Sequence, residues 1–211
     1  MNTATKSVVV LVMQIVLAVV LVAVGVYGAL YAIQVAKAQA MYHTAKYGVA
    51  KENTEQILRL AAAAQSLYPH NYYFCIWAAE KAYYTSLVAD KKDAQELLAN
   101  SDRWCETGLA LNHYKSQLRL LKTHLLEGKS VPDALKYWNQ YVEWQFWEPY
   151  NHAVLAELYA KAGEFEKSLE ELRWVKGSEH YAATGKRIAE AWKRDMTLTS
   201  PSRRPARPAR R

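Results

Sequence analysis

"PYNHAVLAELYAKAGEFEKSLEELRWVKG", Pro149 to Gly177, is the stretch on which the fold turns. Leu155, Ala156 and Tyr159 recur at helical spacing and share one face. In "KAGEFEKS" Gly163 interrupts the helix, and Phe165, Ser168, Leu172 and Val175 then mark the apolar face of a second one. Two short amphipathic helices around a glycine turn bury their stripes by folding back on each other, so the stretch predicts an antiparallel hairpin.

The chain on either side is built in the same way. Strand signals are nearly absent after Ile33: there are few β-branched runs and no Asn-Gly or Asp-Gly turns, while Ala, Leu, Glu and Lys abound. Thirty-four residues before Pro149 lies Lys115, and the window from there holds "LRLLKTHLLEGKSVPDALKYWNQY". Leu118, Leu121 and Leu125 share a face, Gly128 marks a turn, and Asp133, Ala134, Trp138 and Tyr141 follow. A first window, Ala38 to Asn71, contains "NTEQILRLAAAAQSL", with Asn53 or Thr54 as N-cap, and ends in "LYPHN". The window between, Tyr72 to Tyr114, is longer by about nine residues than the 34-residue period. The excess maps to "VADKKDAQE", either as lengthened helices or as an expanded loop.

This pattern resembles the tetratricopeptide repeat, a 34-residue helix pair. In the Pro149 window a small residue stands at the eighth place, Tyr at the eleventh, Gly at the fifteenth, an aromatic at the seventeenth and a small residue at the twentieth. Ser168 and Val175 replace the family's usual Ala at the twentieth and twenty-seventh places. The likeness is specific there, looser in the windows at 38–71 and 115–148, and weak at 72–114. It implies an all-α fold: a short array of antiparallel helix pairs in units of about 38–71, 72–114, 115–148 and 149–177. A cap at 178–196 would close the exposed end. It further implies docking of partner proteins in a groove lined by the first helices, near Tyr83, His124 and Glu157.

The array would be anchored. After a short tail, residues 1–7, "VVVLVMQIVLAVVLVAVGVYGALYAI" at 8–33 carries no charge between Lys6 and Lys37. About 20 apolar residues cross a bilayer. The segment therefore predicts a single-pass transmembrane helix that continues into the array, its membrane part running from Val8 to about Tyr27, with Tyr27 and Tyr31 at the interface. "AKAQA" mimics a signal-peptide cleavage site, but the apolar run exceeds the roughly 7 to 15 residues of a secretory signal. Gln14, Ala18, Gly25 and Ala29 fall on one stripe, where small residues admit a neighbouring membrane helix. Lys6 before the span and Lys37, Lys46 and Lys51 after it leave the topology nearly balanced. By analogy with small anchored bacterial tetratricopeptide proteins, the soluble part is expected outside the cytoplasm.

Other segments add surfaces rather than chemistry. "TLTSPSRRPARPARR", 197–211, holds most of the formal charge of +7 and no acid, and reads as a disordered Arg/Pro-rich tail suited to anionic lipid or phosphate. Without interleaved aromatics, specific nucleic-acid recognition is disfavoured. In "KYWNQYVEWQFWEPY" Trp138, Tyr141 and Gln145 share one side while Trp144 and Trp147 point elsewhere, which makes those two tryptophans candidates for a contact surface. Asn71, Asn112, Asn151 and Ser178 are placed as caps ahead of helices, with the neighbouring histidines partly exposed in first turns. Cys75 and Cys105 lie where antiparallel helices approach, either as buried free thiols or as a disulfide.

The six histidines form no metal motif, and no Gly-x-Ser-x-Gly or Gly-rich phosphate loop occurs. No catalytic residue, metal or cofactor is expected. The chain reads as a non-catalytic membrane-anchored scaffold that docks protein partners, subunits of a membrane complex. The competing possibilities are a cell-envelope maturation factor or enzyme with an unrecognised site, and a lipid or nucleic-acid tether acting through the tail.

Overall fold

The computed structural model describes residues 3–49 and 53–199, and among these it contains helices and no strand. The expected disordered segment beyond Thr199, like Lys51, lies outside the described residues. The chain divides into two compact units, the first ending at His113 and the second beginning at Tyr114.

The first unit opens with α1, Thr3–His43, one unbroken helix that continues from the charge-free run into the packed part of the unit. A π-helical turn, Thr44–Gly48, ends it, and α2, Thr54–Leu67, returns antiparallel. Asn53 starts α2, its Oδ1 accepting from the Gln56 N–H at 3.1 Å. Ile57, Ala61 and Ala64 form the buried stripe of α2. Ala64, Ala38 of α1 and Phe74 make one buried cluster, with Tyr42 and Tyr68 packed against it.

Asn71 then starts α3, Tyr72–Ser86, by accepting from the Tyr73 N–H. After the short link 87–90, Asp90 caps α4, Lys91–Leu111, by accepting from Lys92 and Asp93. This settles where the surplus residues of 72–114 go. Most of "VADKKDAQE" is the opening of a 21-residue α4, not an expanded loop. Helices α3 and α4 meet through small side chains, Cys75, Ala78, Ala79 and Ala82 against Ser101, Cys105 and Gly108. The Ser101 hydroxyl donates to the Ala79 carbonyl at 2.9 Å, so this buried polar group is satisfied across the interface.

In the second unit α5, Ser116–Glu127, pairs with α6, Val131–Val142, and α7, Pro149–Lys161, with α8, Phe165–Val175. Helix α9, Tyr181–Thr199, packs on α7 and α8 as the closing element and ends three residues beyond the expected cap. The core of this unit is built of large residues: Trp138, Tyr141, Val142, Leu155 and Leu158, with Ala134 filling the gap. The Trp138 indole N–H donates to the Asn151 carbonyl at 2.9 Å, which ties α6 to the start of α7. Gly163 sits at φ +79° in the α7–α8 turn, a conformation that favours glycine. Ser168, which stands where the repeat pattern has Ala, is fully buried, and its hydroxyl donates to the Ala156 carbonyl at 2.7 Å.

Two of the expected caps are corrected. Asn112 ends α4, its backbone N–H bonding the Gly108 carbonyl, and α5 starts only at Ser116. Asn151 lies inside the first turn of α7, buried, its side-chain amide donating to the Gln145 carbonyl at 3.0 Å. At the second place Pro149 starts the helix two residues ahead of the asparagine, which leaves the Asn151 amide to bond the preceding connection.

Candidate partner-binding groove

The second unit carries a groove of about 370 Å³ built from α5, α7 and the start of α9. Leu120, Val154 and Leu158 contribute its apolar lining, and His124, Glu127, Tyr150, Glu157, Lys161 and Arg187 its polar part. Two ion pairs cross it. Lys161 of α7 bonds Glu127 of α5, and Arg187 of α9 bonds Glu157 of α7 at 2.7 Å. The first pair spans 34 residues, one repeat period, and the second 30, so both are rungs between alternate helices of the array.

Glu127 is the most perturbed acid in the groove, its carboxyl held down to about 2. His124 at 3.7 Å and Lys161 at 2.5 Å stabilise the carboxylate, against burial, which pushes the other way; the shorter Lys161 contact is the firmer ion pair. Tyr150 and His180 meet edge to face with centroids 5.2 Å apart at another part of the lining.

Of the residues singled out from sequence, His124 and Glu157 line this one groove. Tyr83 belongs to α3 of the first unit and is half-buried. Trp144 and Trp147 lie outside the groove, on the α6–α7 connection, and are 60% and 66% exposed, whereas Trp138 is fully buried. Trp144 rests against Tyr114 with centroids 4.5 Å apart. Gln14, Ala18, Gly25 and Ala29 are all exposed on α1, and nothing lies within 4 Å of where a Cβ on Gly25 would stand. Cys75 and Cys105 are buried thiols with no disulfide between them, and burial pushes the Cys75 thiol up to about 11, which leaves it unreactive.

His152 is the residue that pattern reading misplaced. It is not at an exposed edge: it is 6% exposed, with Nδ1 at 2.6 Å from a Glu171 carboxylate oxygen and Nε2 facing the Phe146 carbonyl, its ring stacked on Trp174. The imidazole thereby fastens the exposed aromatic connection to α8. Only the partner on α8, 19 residues away, gives it this role, and no local motif signals it. No group of three or more His, Cys, Asp or Glu suited to a metal occurs among the described residues.

No family model and no curated protein matches the chain. A solved structure does: a thermophilic tetratricopeptide protein of Thermus thermophilus, at 18% identity and a TM-score of 0.57, covering 84% of this chain and 96% of that one. The fold is a tetratricopeptide-like helical array. At this identity the likeness speaks for the fold alone.

Proposed function

We propose that the protein is a non-catalytic, membrane-anchored scaffold that docks a partner protein through its tetratricopeptide-like array, as a subunit of a larger membrane complex. The observation that carries this reading is the groove of the second unit. It is open, has an apolar floor, and its charges are already paired in rungs that hold α5, α7 and α9 at fixed spacing. A paired-charge lining of this kind orients a bound segment.

Anchoring is supported by α1. Its apolar stretch has a mean hydropathy of 2.8 and is wholly unburied within the protein, as suits a helix surrounded by lipid. Cleavage at "AKAQA" would cut the same helix where Ala38 is fully buried and just before Tyr42, which packs on Phe74 and Trp77. The exposed stripe of Gln14, Ala18, Gly25 and Ala29 offers a second contact, to other membrane helices. The soluble part is placed outside the cytoplasm on the analogy with anchored bacterial proteins, and protease accessibility in sealed vesicles tests that placement.

The docking reading is tested by recovering the full-length chain from native membranes in mild detergent and comparing what remains bound. Glu157→Arg sets two guanidinium groups against each other across the groove and is expected to lower recovery of the partner at least ~10-fold, the size of an interface hot-spot loss. Gly25→Ile is expected to remove membrane partners selectively. Full retention by both variants sinks docking through the groove and through the membrane stripe.

A further inference from the structure

In the first unit, the end of the helical bundle reached through the α2–α3 turn differs from the opposite end. Residues 66–73, "SLYPHNYY", hold no Asp, Glu, Lys or Arg, whereas the α3–α4 link leads into Asp90, Lys91, Lys92 and Asp93. Tyr68 in that turn meets Tyr31 of α1 edge to face with centroids 6.1 Å apart, and Tyr31 stacks on Tyr27 at 6.5 Å. Tyr72 and Tyr73 stack at 4.5 Å; Tyr73 remains 54% exposed, and Pro69 and His70 are exposed beside it.

Because α1 is unbroken, heights along it can be counted. From Val8 to Tyr27 the helix rises ~30 Å, the thickness of the hydrocarbon layer, and the headgroup region adds ~5–7 Å on each side. Tyr31, one turn beyond Tyr27, stands ~6 Å past the hydrocarbon edge, whereas Ala38, where α1 enters the buried core, stands ~16 Å past it. The Tyr31–Tyr68 contact therefore holds the α2–α3 turn at the height of the headgroups.

We propose that the α2–α3 turn, Tyr68 to Tyr73, is a lipid-binding foot that lies in the phospholipid headgroup layer of the bilayer spanned by α1. The proposal rests on the membrane-span reading of α1. The occupant is the phospholipid interface itself, because the rigid helix delivers the turn to that layer and leaves no room for a protein between them. Tyrosine suits the place, since its ring tolerates the acyl boundary while its hydroxyl stays hydrated. The absence of Asp and Glu from 66–73 removes repulsion from anionic lipid. The foot would fix the tilt of the first unit on the membrane, where a lone helix leaves it free to swivel.

The test uses the full-length chain in phosphatidylcholine nanodiscs, with an environment-sensitive fluorophore attached at Tyr73→Cys in one sample, at Lys92→Cys in a second and at Ile15→Cys in a third. The wild-type chain, whose Cys75 and Cys105 are buried, gives the labelling background. A spin label on the lipid headgroup is expected to quench position 73 at least ~2-fold more than position 92, as for an interfacial site against a solvated one. A spin label deep in the acyl chain is expected to quench position 15. Equal quenching at 73 and 92 with position 15 quenched overturns the foot and leaves the anchor standing; no quenching at 15 overturns both.

Discussion

The two units share a hairpin topology, but the α3–α4 pair of the first and the α5–α7 core of the second are built from opposite materials. In the first, α3 and α4 meet through Cys75, Ala78, Ala79, Ala82, Ser101, Cys105 and Gly108, side chains small enough for the backbones to approach closely. In the second, the core between α5, α6 and α7 is filled by Trp138, Tyr141, Leu118, Leu155 and Leu158. Close-packed small residues leave no room for addition, while large residues leave a void when removed. The units should therefore fail in opposite ways: the first when its interface is filled, the second when its core is emptied.

The largest effect is expected from Trp138→Ala. It deletes the fully buried indole at the centre of the second core together with its hydrogen bond to Asn151, and should cost about 3–5 kcal/mol. Urea unfolding of the full-length chain in detergent, followed by proteolytic cleavage within each unit, should show the second unit opening at lower urea with the first unchanged. A joint shift of both units breaks the comparison.

Filling comes next. Ala79 is fully buried and its carbonyl receives the Ser101 hydroxyl, so Ala79→Leu forces α3 and α4 apart and should cost about 1–3 kcal/mol, confined to the first unit. The same proteolysis read-out decides it, and a stability equal to wild type would mean the small-residue interface has slack. Ser101→Ala, which removes only the hydroxyl, should cost less, about 1 kcal/mol.

This contrast also explains what the sequence disclosed. The second unit was legible because large apolar residues mark a helical face: Leu118, Leu121 and Leu125 recur at intervals of three and four, as one face of a helix requires. In the first unit Ala, Ser and Gly carry the interface, and these residues are equally common on solvated faces, so the 72–114 window matched the repeat weakly although its helices are well formed. His124 and Glu157 fell in one groove because they lie one repeat apart less one residue, which periodicity predicts. The roles of Asn151 and His152 were not legible, because each is set by a partner brought in by the fold: the Gln145 carbonyl for one, Glu171 and Trp174 for the other.

A smaller effect separates the units by pH. Glu127 has its carboxyl depressed to about 2 in the folded state, below the ~4.3 of an unfolded glutamate. Its contribution is thus fully present above that unfolded value and is lost as pH falls toward 2, with proton binding favouring the unfolded chain. Glu127→Gln should lower the stability of the second unit at neutral pH by under ~1 kcal/mol, since the pair with Lys161 is partly solvated, and should flatten the acid limb between about pH 5 and 2. Superimposable acid limbs for the two proteins would mean that the Glu127 rung adds no stability.

The smallest stability effect is expected at the exposed aromatic connection, the other candidate contact surface. Trp144 and Trp147 are 60% and 66% exposed on the α6–α7 connection, so replacing both by Ala removes little buried surface and should change unfolding by no more than about 0.5 kcal/mol. Trp144 still covers Tyr114, and Phe146 and Trp147 pack edge to face, so the connection is an ordered aromatic surface whose carbonyl at Phe146 is pinned by His152. Ordered, exposed tryptophans lose little conformational entropy on binding and are enriched among interface hot spots. If the double variant keeps wild-type stability but loses its partner in detergent pull-downs, while Glu157→Arg does not, docking moves from the groove to this aromatic edge. If only Glu157→Arg loses the partner, the exposed tryptophans are surface that the interface does not use.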